Sequence, residues 1–183
     1  MKKINMYALL LIVFFLLPLT VVAEGFSPIV STDWLHQNLD NPKLIIVDIR
    51  KVEDYRTGHI PGAISLFYGT WAIKKGDFDN QLPEDDELVD LLSSAGIGPD
   101  SIVVVAGTTE SGPDRVNTSR VAWTLKYAGV KTVGILNGGY TKWMMREKRA
   151  ISTDIVKPKA KPYQGKFNKN LLADKDYVTS QLG

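Results

Sequence analysis

The stretch Ser101-Ile102-Val103-Val104-Val105, running into Ala106-Gly107-Thr108-Thr109-Glu110-Ser111-Gly112-Pro113, sets an uncharged, β-branched run directly ahead of a polar, glycine-containing segment. A run that is apolar at successive rather than alternate positions fits a strand covered on both faces, as in the middle of a parallel sheet. The polar segment extends to about Asn117 and delivers the chain into a helix expected from about Thr118 to Tyr127, with Gly129 as its stop. On either side the pattern recurs. Leu44 to Ile49 is a second buried run, carrying Asp48 near its end, and Val133 to Leu136 is a third, after which Asn137-Gly138-Gly139 turns into a helix bearing Trp143 and Met144. Ser31-Thr32-Asp33 supplies N-cap chemistry for a short helix with Trp34, Leu35 and Leu39. An acidic helix is expected from about Glu84 to Ala95, with Leu88, Leu91 and Leu92 at helical spacing and Gly96 as its end. Short buried runs alternating with amphipathic stretches predict an α/β architecture around a mostly parallel sheet.

The two ends differ from this middle. Lys2 and Lys3 precede an apolar run from Tyr7 to Ala23, and Val21-Val22-Ala23 offers a cleavage site, the makeup of a secretory signal over residues 1–23. The same run has a second reading as an uncleaved anchor, at the short edge of what spans a bilayer and interrupted by Pro18. Either reading exports the domain, so a periplasmic or secreted location is expected, with membrane contact only through that segment. Residues 26–150 are expected to form one domain. From Ile151 the chain carries six lysines against three aspartates and is punctuated by Pro158 and Pro162, an extended linker-like stretch; Leu171 to Leu182 is suited to one more helix.

Composition removes several chemistries. The 183 residues include no cysteine, which excludes disulfides, cysteine metal sites and any thiolate nucleophile. Cleavage after Ala23 removes two lysines and no acid from a chain of net charge +2, so the mature net charge is zero. A neutral surface is ill suited to nucleic acid, whose binding rests on phosphate neutralisation.

In open parallel sheets ligands gather beyond the carboxyl ends of the strands. That selects Asp48-Ile49-Arg50, the segment Gly58-His59-Ile60-Pro61-Gly62-Ala63-Ile64, and the loop Ala106, Gly107, Thr108, Thr109, Glu110, Ser111, Gly112. A polar loop entering a helix N-terminus makes an anion nest of backbone N–H groups. Thr108, Thr109 and Ser111 would add hydroxyls and Arg115 a guanidinium, although a solvated surface arginine is the plainer account of Arg115. Asp48 and Arg50 read first as a structural ion pair, and His59, in a turn with Pro61 and Gly62, as a structural histidine. Ser111 lacks the glycine two residues earlier that a nucleophile elbow requires, Thr109 standing there. His36 has no ligand-like neighbour in the sequence, and no metal or cofactor is implied. Trp123 and Trp143 are expected to pack in the core.

Asp48-Ile49-Arg50 with Glu53, Tyr55 and Gly58-His59-Ile60-Pro61-Gly62-Ala63, then Ser119-Arg120-Val121-Ala122-Trp123, Tyr127-Ala128-Gly129 and Leu136-Asn137-Gly138-Gly139 with Trp143, together resemble the rhodanese-like sulfurtransferases over residues 28 to 146. The resemblance implies an open, mostly parallel five-stranded sheet flanked by helices, with Asp48, Arg50, His59, Gly62, Arg120, Gly138, Gly139 and Trp143 as structural motif positions. It also implies transfer of sulfane sulfur through a persulfide on a cysteine that directly follows the strand matching Ile102 to Val105. This chain has no thiol there, and its loop reads as longer than the family's usual one. A hydroxyl is no substitute, being scarcely ionised at neutral pH and forming no equivalent sulfur carrier. Two expectations follow: a domain inactive alone that serves a cysteine-bearing rhodanese domain, in the manner of the amino-terminal half of a tandem protein whose second domain would start near Leu171; or a free-standing module binding a small sulfur oxyanion or a protein.

Overall fold

The computed structural model describes residues 26–173 and 175–182; the proposed signal segment lies outside them. A five-stranded, wholly parallel sheet forms from β1 (Ile29–Val30), β2 (Leu44–Asp48), β3 (Ile64–Ser65), β6 (Ile102–Ala106) and β7 (Thr132–Leu136), in the order β1-β7-β6-β2-β3. β2 and β6 run in register from Leu44 opposite Ile102 to Asp48 opposite Ala106, so the two longest buried runs lie side by side at the centre. Two more strands, β4 (Ile73–Lys75) and β5 (Phe78–Gln81), make a separate antiparallel hairpin. That hairpin carries no alternating apolar face, and nothing in its residues announced it.

Side-chain alternation along β6 sorts the core into two layers. Val103 and Val105 join Val47, Leu92, Val121 and Leu125 on one face; Val104 and Ala106 join Ile46, Leu35, Tyr55 and Trp143 on the other. The first face is covered by α3 (Asp85–Ser94) and α4 (Gly112–Ala128), the second by α1 (Thr32–Gln37), α2 (Val52–Thr57) and α5 (Gly139–Thr141), which widens into a π-helical turn over Lys142–Arg146. Both faces of the central strands are thus buried, which is why their sequences are continuous apolar runs rather than alternating ones.

α4 begins six residues earlier than its apolar pattern suggested. Ser111 is its N-cap, accepting from the Asp114 backbone N–H at 3.2 Å, while the Asp114 carboxylate accepts from the Ser111 N–H at 3.0 Å; Pro113 sits in the first turn. Reciprocal capping and an early proline are helix-start signals. Their effect is that the connection from β6 is only Gly107–Ser111 and not a long loop, and that Arg115 stands on the helix. Trp123 also departs from expectation. Val121, Leu125 and Ala128 face the sheet, and Trp123, about 200° around the helix from Val121, is half-buried on the outer side.

Residues 151–168 are extended, and they are bound to the domain along their length. Ser152 exchanges two backbone hydrogen bonds of 2.9 Å with His59, Lys161 N–H donates to Ser93 O at 3.0 Å, and Asn168 N–H to Tyr127 O at 2.7 Å. Val156, Tyr163 and Phe167 pack onto the α3/α4 core layer, and the Tyr163 hydroxyl donates to Ala128 O at 2.7 Å. The strap crosses the C-terminal ends of both helices: Gly96 and Gly129 have positive φ, and a β-carbon on either would run into strap backbone, at Lys159 and Lys166 respectively. Past the short 3-10 turn Lys169–Leu171, α6 (Lys175–Ser180) lies exposed on the surface.

A polar cluster fastens the opposite face. Glu147 accepts from Arg149 Nε at 2.5 Å and from Thr32 Oγ1 at 2.8 Å, and Arg149 also pairs with Asp33. The Arg149 hydrogen bond, assisted by those from Thr32 and Lys142, holds the Glu147 carboxyl down from 4.5 to about 2. A depressed carboxyl pKa adds stability above its unfolded value and loses it as the pH falls through the folded one. Stability is therefore expected to decline between about pH 4.5 and pH 2 in part through Glu147, and Glu147→Gln should flatten that limb in urea titrations across the range. An unchanged pH slope in the variant would remove Glu147 from the account.

Candidate functional site

A cavity of about 270 Å³ lies where the carboxyl ends of β2 and β6 meet, the position a parallel sheet reserves for function. Arg50, Lys51, Phe67, Tyr68, Thr108 and Asp114 are among its walls. Asp48 ends β2, fully buried. Its carboxylate accepts from the Arg50 backbone N–H at 3.0 Å and from Arg50 Nη2 at 2.7 Å. The same Nη2 donates to Gly58 O at 2.8 Å, and the guanidinium lies 3.6 Å over the Tyr140 ring. One arginine thus joins the end of β2, the turn after α2 and the start of α5. Its Nε and Nη2 are directed at Asp48 and Gly58 O, so these donors brace the cavity wall.

His59 is buried beneath this layer. Its Nδ1 lies 2.9 Å from Tyr55 O, which makes that nitrogen the protonated one, and its ring stacks on Tyr55 at 3.8 Å. Pro61 and Gly62 follow, with Gly62 at φ +79° and Ala63 N–H donating to Ile60 O at 2.9 Å, a turn in which glycine supplies the left-handed position. His59 does not line the cavity.

The loop after β6 is held tightly by its neighbours. Tyr140 N–H donates to Gly107 O at 2.8 Å, and a β-carbon on Gly139 would strike that same oxygen. The Gly138-Gly139 pair, at φ +75° and +57°, is what lets α5 begin so close to the loop. Thr109 Oγ1 donates to Gly138 O at 3.1 Å, Arg115 Nη1 donates to Thr109 O at 2.7 Å, Ser111 caps α4, and Thr108 hydrogen-bonds the Asp114 carboxyl. All four side chains offered by the sequence as anion contacts thus have a partner within the protein, while Ser111 and Arg115 stay exposed. Asp114 matters most here. The hydrogen bond with the Ser111 side chain, followed by those from the Ser111 backbone and Thr108, holds its carboxyl below the usual range, so a fixed negative charge sits where α4's positive end would otherwise receive an anion. Its position three residues after Ser111 is a capping-box signal legible in the sequence, and it places the helix start ahead of Asn117.

Trp143 is fully buried and donates its indole N–H to Ala150 O at 2.8 Å. Arg120, on the outer side of α4, reaches Asn80 O at 3.4 Å and stands over Trp123, 5.4 Å from the ring centre.

A model of the rhodanese-like domain matches residues 31–146. The chain belongs to that family. Among relatives of the rhodanese-like domain, the sulfur carrier protein TtuD of Thermus thermophilus is 33% identical over 132 residues, 69% of this chain and 42% of that protein. The thiosulfate sulfurtransferase of Azotobacter vinelandii is 28% identical over 149 residues, 81% of this chain and 53% of its own length. The 3-mercaptopyruvate sulfotransferase SseA of Escherichia coli shares the rhodanese fold with a TM-score of 0.72 at 24% identity, over 84% of this chain and 61% of that one. This rhodanese-like chain thus spans about half the length of the curated relatives it matches. Its sequence has no cysteine at the loop or elsewhere.

Proposed function

We propose that this chain is a non-catalytic rhodanese-like domain, exported from the cytoplasm, that serves as the structural or regulatory partner of a cysteine-bearing rhodanese domain handling sulfane sulfur. The observation that carries the reading is the loop after β6: Gly107–Ser111 holds no thiol, its hydroxyls are spent on the protein's own backbone and on Asp114, and the Asp114 carboxylate occupies the helix end. Sulfur transfer needs a group that attacks a sulfur centre and then carries it as a persulfide, and no residue facing the cavity offers that chemistry. The same engaged donors weigh against the anion-binding alternative. Half-length coverage of the relatives supports a partner domain as what completes the activity.

The purified protein is expected to form no thiocyanate from thiosulfate and cyanide above the uncatalysed rate, and to give no heat on calorimetric titration with thiosulfate or sulfate. Turnover at an enzyme-like rate would overturn the reading, and saturable heat abolished by Arg115→Ala would put the anion-binding module in its place.

A further inference from the structure

The amino end of the sheet, opposite the β2/β6 cavity, gathers positive charge. Lys43 immediately precedes β2 and Lys131 immediately precedes β7; α4 runs back from the carboxyl end of β6, which brings Lys126, in its last turn, to the same level. The strap adds Lys159 and Lys166 where it passes Gly96 and Gly129. It also adds Lys161, whose Nζ would stand 2.9 Å from a β-carbon on Gly98, ahead of β6. All six lysines are exposed. Against them stand Asp40 and Asp100, and Asp100 is already paired with Lys131 at 2.7 Å. Among the described residues, Lys43 and Lys161 have no carboxylate at ion-pair distance. A chain whose mature net charge is zero is therefore polarised along its strands.

Between Lys43 and Lys161 lies a concavity of about 410 Å³, bordered also by Gly98, Asp100, Ser101 and Gln164. Ser101 is buried and its hydroxyl accepts from the Gly98 N–H at 2.9 Å, which leaves the hydroxyl proton for an oxygen in the concavity. Helix C-termini attract cations, which accounts for Lys126. Lys43, at the start of a strand, has no such cause. A free anion meets two of these lysines at most, whereas a surface of headgroups meets all six together. The course of the chain indicates which surface that is. Only residues 24–28 separate the apolar run ending at Ala23 from β1, a reach of about 20 Å at most. Because β1 is parallel to its neighbour β7, a bilayer that holds that run, in transit or permanently, meets the domain at this end.

We infer that the amino end of the sheet rests on an anionic lipid bilayer, its six lysines among phosphodiester headgroups and the concavity between Lys43 and Lys161 receiving one of them. This contact is made by the domain itself and is additional to any made through the apolar run. Each lysine held near such a surface strengthens attachment about fivefold, and salt weakens it. The β2/β6 cavity, at the opposite end of the strands, then faces away from the membrane. The inference takes the export proposed above as the way the chain meets that bilayer, and it does not depend on the partnership.

The test uses residues 24–183, which hold every described element, and vesicles of phosphatidylcholine with about one-third phosphatidylglycerol, read by cosedimentation at about 0.1 M salt. The protein is expected to sediment with these vesicles, to stay in solution with phosphatidylcholine alone, and to be released by about 0.5 M sodium chloride. Lys43→Gln with Lys161→Gln keeps the side-chain stems, removes two charges and should lower the partition coefficient about thirtyfold. Lys51→Gln with Arg115→Gln makes the same charge change a strand's length away, beyond the screening distance of about 10 Å, and should leave it nearly unchanged. Slowed amide exchange over residues 41–43 and 97–101 on the vesicles gives a second readout. Equal weakening by the two pairs would make net charge the cause, and equal sedimentation with phosphatidylcholine alone would make the contact apolar. Either result, like no sedimentation at all, overturns the inference and leaves the partnership standing. Tighter binding to duplex DNA than to vesicles of equal charge would give the lysines to a nucleic acid instead. A protein that binds the vesicles but is recovered from the cytoplasm would keep the lipid contact and remove export.

Discussion

Ending the chain after Ala150 is expected to unfold the domain, whereas ending it after Leu172 leaves its melting temperature essentially unchanged. The first cut removes Val156, Tyr163 and Phe167 from the layer formed with Leu92, Leu125, Ala128 and Val130, and uncovers the C-terminal ends of α3 and α4. The second removes residues beyond the anchor at Lys169, and those of them that are described are exposed. Tyr163 is the centre of the effect. Tyr163→Ala should cost about 3–5 kcal/mol, as for other large buried aromatics, and Tyr163→Phe about 1 kcal/mol for the bond to Ala128. A domain stable by roughly 5–15 kcal/mol does not tolerate loss of the whole strap. Burial also pushes the Tyr163 phenol up to about 12, so the neutral side chain stabilises the fold fully below pH 10 and that contribution is lost as the pH rises toward 12. Burial raises the Tyr55 and Tyr140 phenols as well, so ultraviolet phenolate titration should show a group of tyrosines ionising late, and the loss of one late ionisation in Tyr163→Phe would assign it. A protein ending at Ala150 that melted cooperatively at the full-length temperature would show the strap to be superficial.

The second large effect belongs to Asp48. With Asp48→Ala the Arg50 guanidinium, whose side chain is 6% exposed, is left buried with only Gly58 O and the Tyr140 ring as partners. Removing one member of a buried pair costs about 3–5 kcal/mol, largely the penalty of the stranded charge. Asp48→Leu with Arg50→Met removes both charges and should recover much of that loss. Denaturant midpoints of the two singles and the double measure the coupling. If the double is no more stable than Asp48→Leu alone, the ion pair is not what sets the cost.

The central architecture was legible because its cause is local. Leu44–Asp48 and Ile102–Ala106 are apolar at successive positions only when both faces are covered, and Thr132–Leu136 follows the same rule from the next strand. The Asp48–Arg50 pair and the Gly138-Gly139 turn were also within reach, each being a contact between residues close in sequence. The hairpin was not legible. Its strands present no apolar period, and it stands on contacts made by other parts of the chain, such as that of Arg120 with Asn80.

The sequence by itself determined the parallel α/β layering and the absence of any thiol at the loop after β6, one from hydropathy and the other from composition. Only the tertiary structure decided three further matters. The strap belongs to the folded unit, although its lysines and prolines spell a linker, because Tyr163 meets a core slot assembled from α3, α4 and β6. The loop's hydroxyls and Arg115 find partners within the protein, because Asp114, Gly138 and the loop's own carbonyls lie within reach once α4 starts at Gly112. Trp123 points away from the core, because α4's phase is fixed by Val121, Leu125 and Ala128 against the sheet. In each case the deciding partner is remote in sequence or set by a helix's rotation, and neither is written in the local order of residues.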